Sequence, residues 1–194
     1  TRGIGPITFF HLLERYGSAA AALEDLPALA RKAGGKADIK APPQSEIARE
    51  MEAASKLGAL HLAACEPEYS ACLAAIDAPP PVLAMRGDRT LLDRPSIALV
   101  GARDASAVGR RMARDLAREL GVAGYVIVSG MARGIDGEAH AASLDTGTIA
   151  TLAGGIDQIY PPEHDRLYAQ LAERGCIVSE APVGYVATAR DFPK

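Results

Sequence analysis

Ser96-Ile97-Ala98-Leu99-Val100-Gly101-Ala102-Arg103 decides the reading of this chain, together with its later counterpart Val128-Ser129-Gly130-Met131-Ala132-Arg133-Gly134-Ile135-Asp136. Each is an apolar run that stops at a glycine, carries an arginine in the turn and then becomes helical. Buried parallel strands read as continuous apolar runs, and ligands of open α/β sheets sit beyond the strands' carboxyl ends. Two such turns predict an anion site at that edge.

Working outward, the α/β alternation is regular from Ser96. Strands are predicted at 97–100, 125–129, 148–152 and 176–178, and helices at 107–120, 137–145 and 163–174. Val108, Met112, Leu116 and Leu120 share a helical face, read as the face packed on the sheet. Gly121, Gly147 and Gly175 are read as helix ends. Strands alternating with helices imply a doubly wound, mainly parallel sheet with right-handed crossovers. Upstream, further strands are expected at 59–64 and 82–85, the second introduced by Pro79-Pro80-Pro81. A helix is expected at 46–57 and a linker at 36–44, around Pro42-Pro43. The first forty residues read as small helices, with Gly17-Ser18 between two of them. Gly3-Ile4-Gly5-Pro6 resembles half of a helix-hairpin-helix unit, or is simply the turn of a helical packing module. The expected division is a helical domain at 1–57 and a sheet domain at 58–194.

Composition bounds the rest. The chain has 194 residues, 48% of them hydrophobic, enough for a substantial core. No stretch is long enough to span a bilayer and no leader pattern opens it, so a soluble, cytoplasmic protein is expected. Its first residue is Thr1 and its last Lys194, which reads as a fragment of something longer. Cys65, Cys72 and Cys176 have no metal-type spacing and are expected to be small buried hydrophobes rather than a disulfide or zinc framework. Net charge is −3, unfavourable for nucleic acid as a whole. The span from Gly101 to Gly134 is nevertheless locally basic, with Arg103, Arg110, Arg111, Arg114, Arg118 and Arg133 against Asp104, Asp115 and Glu119. Phosphates respond to that local field.

Four loops are expected at the carboxyl edge: 101–106, 129–136, 154–162 and 179–184. Glycines let amides approach a phosphate, following helix starts favour negative charge, and Arg103 and Arg133 add forked donors. A dinucleotide fingerprint is absent, as are a Walker A loop and a nucleophile elbow. Asp136 and His140 are spaced for one helical face as an acid–base pair. The alternative, preferred here, makes Asp136 a helix cap and His140 a hydrogen-bonded residue near the sheet edge. No catalytic residue, metal or cofactor is expected.

From about Leu60 onward the chain resembles the DNA-processing protein A (DprA/Smf) family. The likeness lies in Val100-Gly101-Ala102-Arg103, where the family usually has G-S-R, and in the segment from Ser129 to Asp136 followed by Ala139-His140. It continues through Thr148-Ile149-Ala150, Gly154-Gly155-Ile156-Asp157, Tyr160-Pro161, Ser179-Glu180-Ala181-Pro182 and Phe192-Pro193. The helical start resembles the sterile-alpha-motif-like domain of many members. The resemblance implies an extended Rossmann-like fold that binds single-stranded DNA without sequence preference. It also implies loading of the RecA recombinase onto incoming strands in natural transformation, and a homodimer. The DNA-binding positions it carries over are Gly101, Ala102 and Arg103 for the first phosphate turn, and Ser129, Gly130, Arg133 and Gly134 for the second. Gly154 and Gly155 would flank the groove, and His164 stands where the family has asparagine. Ala102 lacks the hydroxyl of the usual serine. Tyr160 and Phe192 are the candidates for base stacking. The same Rossmann variant also resembles nucleotide phosphoribohydrolases, the alternative reading, but Gly154-Gly155-Ile156-Asp157 lacks their following threonine and glutamate.

Overall fold

The computed structural model describes residues 4–32 and 41–192. Gly3, most of the expected linker, and Pro193 lie outside the described residues. Six strands form one sheet: β1 (Ala59–Ala63), β2 (Val82–Gly87), β3 (Ser96–Ala98), β4 (Val126–Ser129), β5 (Thr148–Leu152) and β6 (Cys176–Ser179). Their order is β1-β2-β6-β5-β4-β3. The four strands β3 to β6 are parallel, β2 runs antiparallel to β6, and β1 antiparallel to β2. All carboxyl ends of the parallel strands therefore open at one edge.

Alternation sorts the strand side chains onto two faces. Ile127, Ala150 and Ile177 point into one layer, where they meet Ala117, Ala139, Tyr168 and Leu171. These come from α5 (Ala107–Val122), α6 (Ile135–Ser143) and α7 (Asp165–Arg174). Ala54 of α3 (Gln44–Lys56) joins the same core. Val126, Ile149, Cys176 and Val178 point the other way, onto Leu62, Tyr69, Met85 and Leu91. That second face carries the short α4 (Ala71–Ala74) and a 3-10 turn at Arg89–Asp93. β4 and β6 are buried on both sides, as their unbroken apolar runs imply, whereas the edge strand β3 is largely exposed although its segment reads the same way.

The amino-terminal helices are α1 (Pro6–Tyr16) and α2 (Ala19–Lys32). Pro6 sits in the first turn of α1, where its missing N–H costs nothing. Gly17 closes that helix in the left-handed conformation, φ 74°, with its N–H on the Leu13 carbonyl. Ser18 then accepts a bond from the Ala21 amide at 3.2 Å, fixing the start of α2. No helix among the described residues is long and apolar enough to cross a membrane.

Three expectations are corrected. Val108 and Met112 are not the packed face of α5, being 78% and 69% exposed, and Leu116 is exposed as well. The inward face is the small-residue row Ala113, Ala117 and Gly121. Gly121 is not a helix end but lies inside α5, where a Cβ would stand 2.1 Å from Thr146 Oγ1. Cys65 and Cys72 are exposed, and only Cys176 is a buried hydrophobe. Burial pushes the Cys176 thiol up to about 12.

Candidate nucleic-acid interface

The turns after β3 and β4 are bolted together before any ligand is considered. Gly134, at φ 76°, lies so close to the first turn that a Cβ would stand 2.2 Å from the Ala102 carbonyl oxygen. The Ile135 amide bonds that same carbonyl at 3.3 Å. On the other side of the turn, Gly101 leaves room for Ile135, whose Cγ1 would be 2.5 Å from an added Cβ. These glycines are dictated by close packing of two loops. Met131 takes φ 58° with its side chain fully buried, a conformation that costs energy for a non-glycine and is held by its surroundings. His164 Nδ1 bonds the Met131 carbonyl at 3.0 Å.

Three of the four expected loops line a cleft of about 750 Å³ at the carboxyl edge, while the third, 154–162, contributes none of its lining residues and the end of β5 takes its place. Gly101 and Arg103 line it from the first loop, Gly130 and Asp136 from the second and Pro182 from the fourth, with Val100 just before the first loop and Ala153 just after β5. Arg103 stands over the Phe192 ring at 5.3 Å, and Phe192 meets Tyr160 at 5.5 Å between ring centroids. Three carboxylates also line this cleft: Asp136, Glu180 and Asp191. A second cleft of about 520 Å³ opens beside it, lined by Arg103, Asp104, Arg110, Arg133, Gly134, Glu163 and His164. Arg103 is common to both.

The candidate residues divide by what their polar groups already do. Arg103 and Ala102 are exposed at the rim. Ser129 is 2% exposed, and its hydroxyl donates to the Leu99 carbonyl at 2.6 Å. Its side chain ties β4 to the end of β3 instead of facing the cleft. Gly154 and Gly155 are buried under the segment after β6. The Gly155 amide donates to the Tyr185 carbonyl at 2.8 Å, and the Gly154 carbonyl accepts from Ser179 Oγ at 2.7 Å. Arg133 donates through Nε to Glu163, which raises the arginine's pKa and lowers that of the glutamate. Asp104, Arg110 and Glu163 are the residues of the second cleft that the sequence reading did not assign to the site. The available signal was position, since Arg110 falls in the first turn after the Ser106 cap.

Asp136 and His140 have separate partners. The Asp136 carboxylate folds back onto the Ala132 amide at 3.2 Å, while Gly134 holds the cap position. This corrects the assignment of Asp136 as the cap. His140 is fully buried, with Nδ1 2.7 Å from Thr148 Oγ1. Burial drives its pKa down to about 4, against the smaller opposing pull of the Ser129 backbone. Among the described residues no cluster of three or more His, Cys, Asp or Glu could hold a metal ion.

Comparison with known proteins places this geometry. Residues 60–194 match the family described as DNA recombination-mediator protein A, and residues 1–53 match the DprA-like N-terminal HHH domain. Protein Smf of Synechocystis is 39% identical over 134 residues, 66% of this chain and 34% of its own length. DNA processing protein DprA of Bacillus subtilis is 42% identical over 118 residues, 59% of this chain and 40% of its own. The chain thus spans roughly a third to two-fifths of these curated relatives. The X-ray structure of DprA from Streptococcus pneumoniae superposes with TM-score 0.70 at 28% identity, over 78% of this chain and 52% of that one. The Helicobacter pylori DprA structure, described as giving insight into a unique single-stranded DNA binding mode, superposes with TM-score 0.63 at 31% identity. It covers 69% of this chain and 60% of that one. With the motifs of both turns in order along one sheet edge, the chain belongs to the DNA recombination-mediator protein A (DprA/Smf) family.

Proposed function

We propose that this protein binds single-stranded DNA without sequence preference along the loops at the carboxyl edge of its sheet. In this reading it is a recombination mediator that loads RecA onto incoming strands during natural transformation, working as a cytoplasmic homodimer. One observation carries the DNA reading. Arg103, an exposed guanidinium without an ion-pair partner among the described residues, stands where the two clefts join. Phosphate oxygens match the forked donors of arginine. The aromatic pair Tyr160 and Phe192 beside it offers a sequence-tolerant surface for bases. The description of the Helicobacter pylori relative as a single-stranded DNA binder supports the same reading, and the family's description supports the recombination role.

We further propose that no chemical step accompanies binding. Asp136 and His140 are held by different partners, and the imidazole is closed off from solvent. The test is a titration of the protein with labelled single-stranded and duplex oligonucleotides over a range of salt. Tighter binding to the single strand is expected, with a slope of about −0.7 in log K against log salt for each phosphate contacted. Arg103→Ala should weaken binding about tenfold or more, as loss of a charged hydrogen bond contributing about 1.5–3 kcal/mol implies. Preference for duplex, salt-independent affinity, or base release from nucleoside monophosphates would overturn the proposal. Stimulation of RecA filament growth on a coated single strand tests the mediator step.

A further inference from the structure

The arginines between Gly101 and Gly134 are not equivalent once their partners are seen. Arg111 and Arg118 both reach Asp115, at 3.7 and 3.6 Å, and Arg114 holds Glu138 at 2.7 Å. Arg133 is held by Glu163. Arg103 and Arg110 make no ion pair among the described residues, and both line the smaller cleft. Arg110 uses only Nε, which donates to the Ala105 carbonyl at 3.1 Å. That bond steers the guanidinium back over the turn before α5 and leaves its Nη donors without a partner among the described residues.

The two clefts also differ in sign. The larger one sets Arg103 alone against Asp136, Glu180 and Asp191. The smaller one sets three guanidinium groups against Asp104 and Glu163, and Glu163 is consumed by Arg133. A phosphate is drawn to the second and repelled by much of the first. The start of α6 is not what attracts it, because the Ile135 amide already donates to Ala102.

We propose that Arg110 and Arg103 together seat a phosphate of single-stranded DNA in the smaller cleft, and that Glu163 competes with that DNA for Arg133. This rests on the single-stranded DNA reading above. The strand then runs along the α5 side of the loops, with its backbone in the basic cleft and its bases toward Phe192 and Tyr160. Glu163 lowers affinity by satisfying Arg133 in the free protein, and a strand gains that arginine only by displacing the carboxylate.

The experiment measures binding of a fluorescein-labelled oligothymidylate to the whole chain and to five variants, each checked for an unchanged thermal melt. Arg110→Ala should weaken binding about tenfold and make the salt slope shallower by about 0.7. Arg118→Ala should stay within about twofold, its charge being exposed and screened. Glu163→Gln should tighten binding several-fold, whereas Glu173→Gln, the same change of charge in the last turn of α7, should not. Unlabelled thymidine monophosphate and inorganic phosphate should compete poorly, since a seat built for a strand gains from its neighbouring contacts. If Arg103→Ala weakens binding but Arg110→Ala matches Arg118→Ala, the seat is wrong while the single-stranded DNA reading stands. If Glu163→Gln matches Glu173→Gln, the competition for Arg133 is refuted. If the unmodified chain ignores the oligonucleotide, or prefers the mononucleotide, both readings fall together.

Discussion

Two residues other than the arginines bear on how well the site is built. Gly134 is the first. Its positive φ alone costs an L-residue about 1–2 kcal/mol, and a Cβ would also meet the carbonyl oxygens of Ala102 and Arg103 at 2.2 and 2.6 Å. Gly134→Ala must therefore separate the two arginine turns or unfold them. A fall in stability of at least about 2 kcal/mol is expected, read by urea unfolding, with a larger loss of DNA affinity than Gly124→Ala, whose Cβ would meet nothing within 4 Å. Equal effects of the two substitutions would show that the loop contact does not matter. His140 is the second, and its effect depends on pH. Its folded pKa of about 4 lies below the unfolded value of 6.5, so the unfolded chain binds the proton first. The fold is fully stabilised by the neutral imidazole above pH 6.5, loses that contribution as pH falls towards 4, and loses no more below it. Burial without charge thus predicts a drop on the order of 3 kcal/mol across that window. His140→Gln should flatten this part of the stability–pH curve. A variant that keeps the full slope would place the titration elsewhere.

At the scale of elements, α5 shows what the sequence can and cannot reveal. Its existence and its start at 107 were legible from the helical spacing, and β5 was legible over its whole length. The face it buries was not. Apolar side chains at 108, 112 and 116 gave the stronger periodic signal, yet the residues α5 buries are Ala113, Ala117 and Gly121, with Ala117 in one cluster with Ala139 of α6 and Gly121 against Thr146. Small residues carry little weight in a hydrophobic pattern but permit the closest helix approach, and here closeness decided the orientation. The same limit hid Arg110. The role proposed for it follows from which arginines find carboxylates across elements, such as Arg114 with Glu138, and no spacing rule reports that. Gly154 and Gly155 were legible as glycines that something approaches closely. What approaches is the backbone of residues 182–185, the chain's own, and sequence alone does not distinguish it from a phosphate. The orientation of α5 predicts opposite outcomes for two substitutions. Ala117→Leu overpacks a site with no exposed surface and should cost about 1–3 kcal/mol, whereas Met112→Ser on the exposed face should stay within about 0.5 kcal/mol. Denaturant midpoints measure both, and a reversed order would restore the face predicted from the apolar spacing.

For the whole molecule, a net charge of −3 means that affinity for DNA cannot come from a general positive surface. On the proposed reading it comes from the small region where Arg103, Arg110 and Arg133 gather, while the remaining arginines of α5 are offset by Asp115 and Glu138. Such a concentrated site has a mechanical signature. A ligand that binds only the folded state stabilises it by about 2.7 kcal/mol when present at a hundred times its dissociation constant. The gain should be visible as a rise in melting temperature with single-stranded oligonucleotide and should fade as salt is raised. Hydrogen exchange then locates the contact. Protection on adding DNA is expected at residues 101–106, 130–134 and 163–164, where the loops border the basic cleft. The Gly155 amide should change little, because it is already bonded to Tyr185 in the free protein. The outer face of α5, with Arg111 and Arg118, should not respond at all. Protection centred on that outer face, with the loops unchanged, would mean that DNA follows the helix and that the carboxyl edge of the sheet serves another ligand.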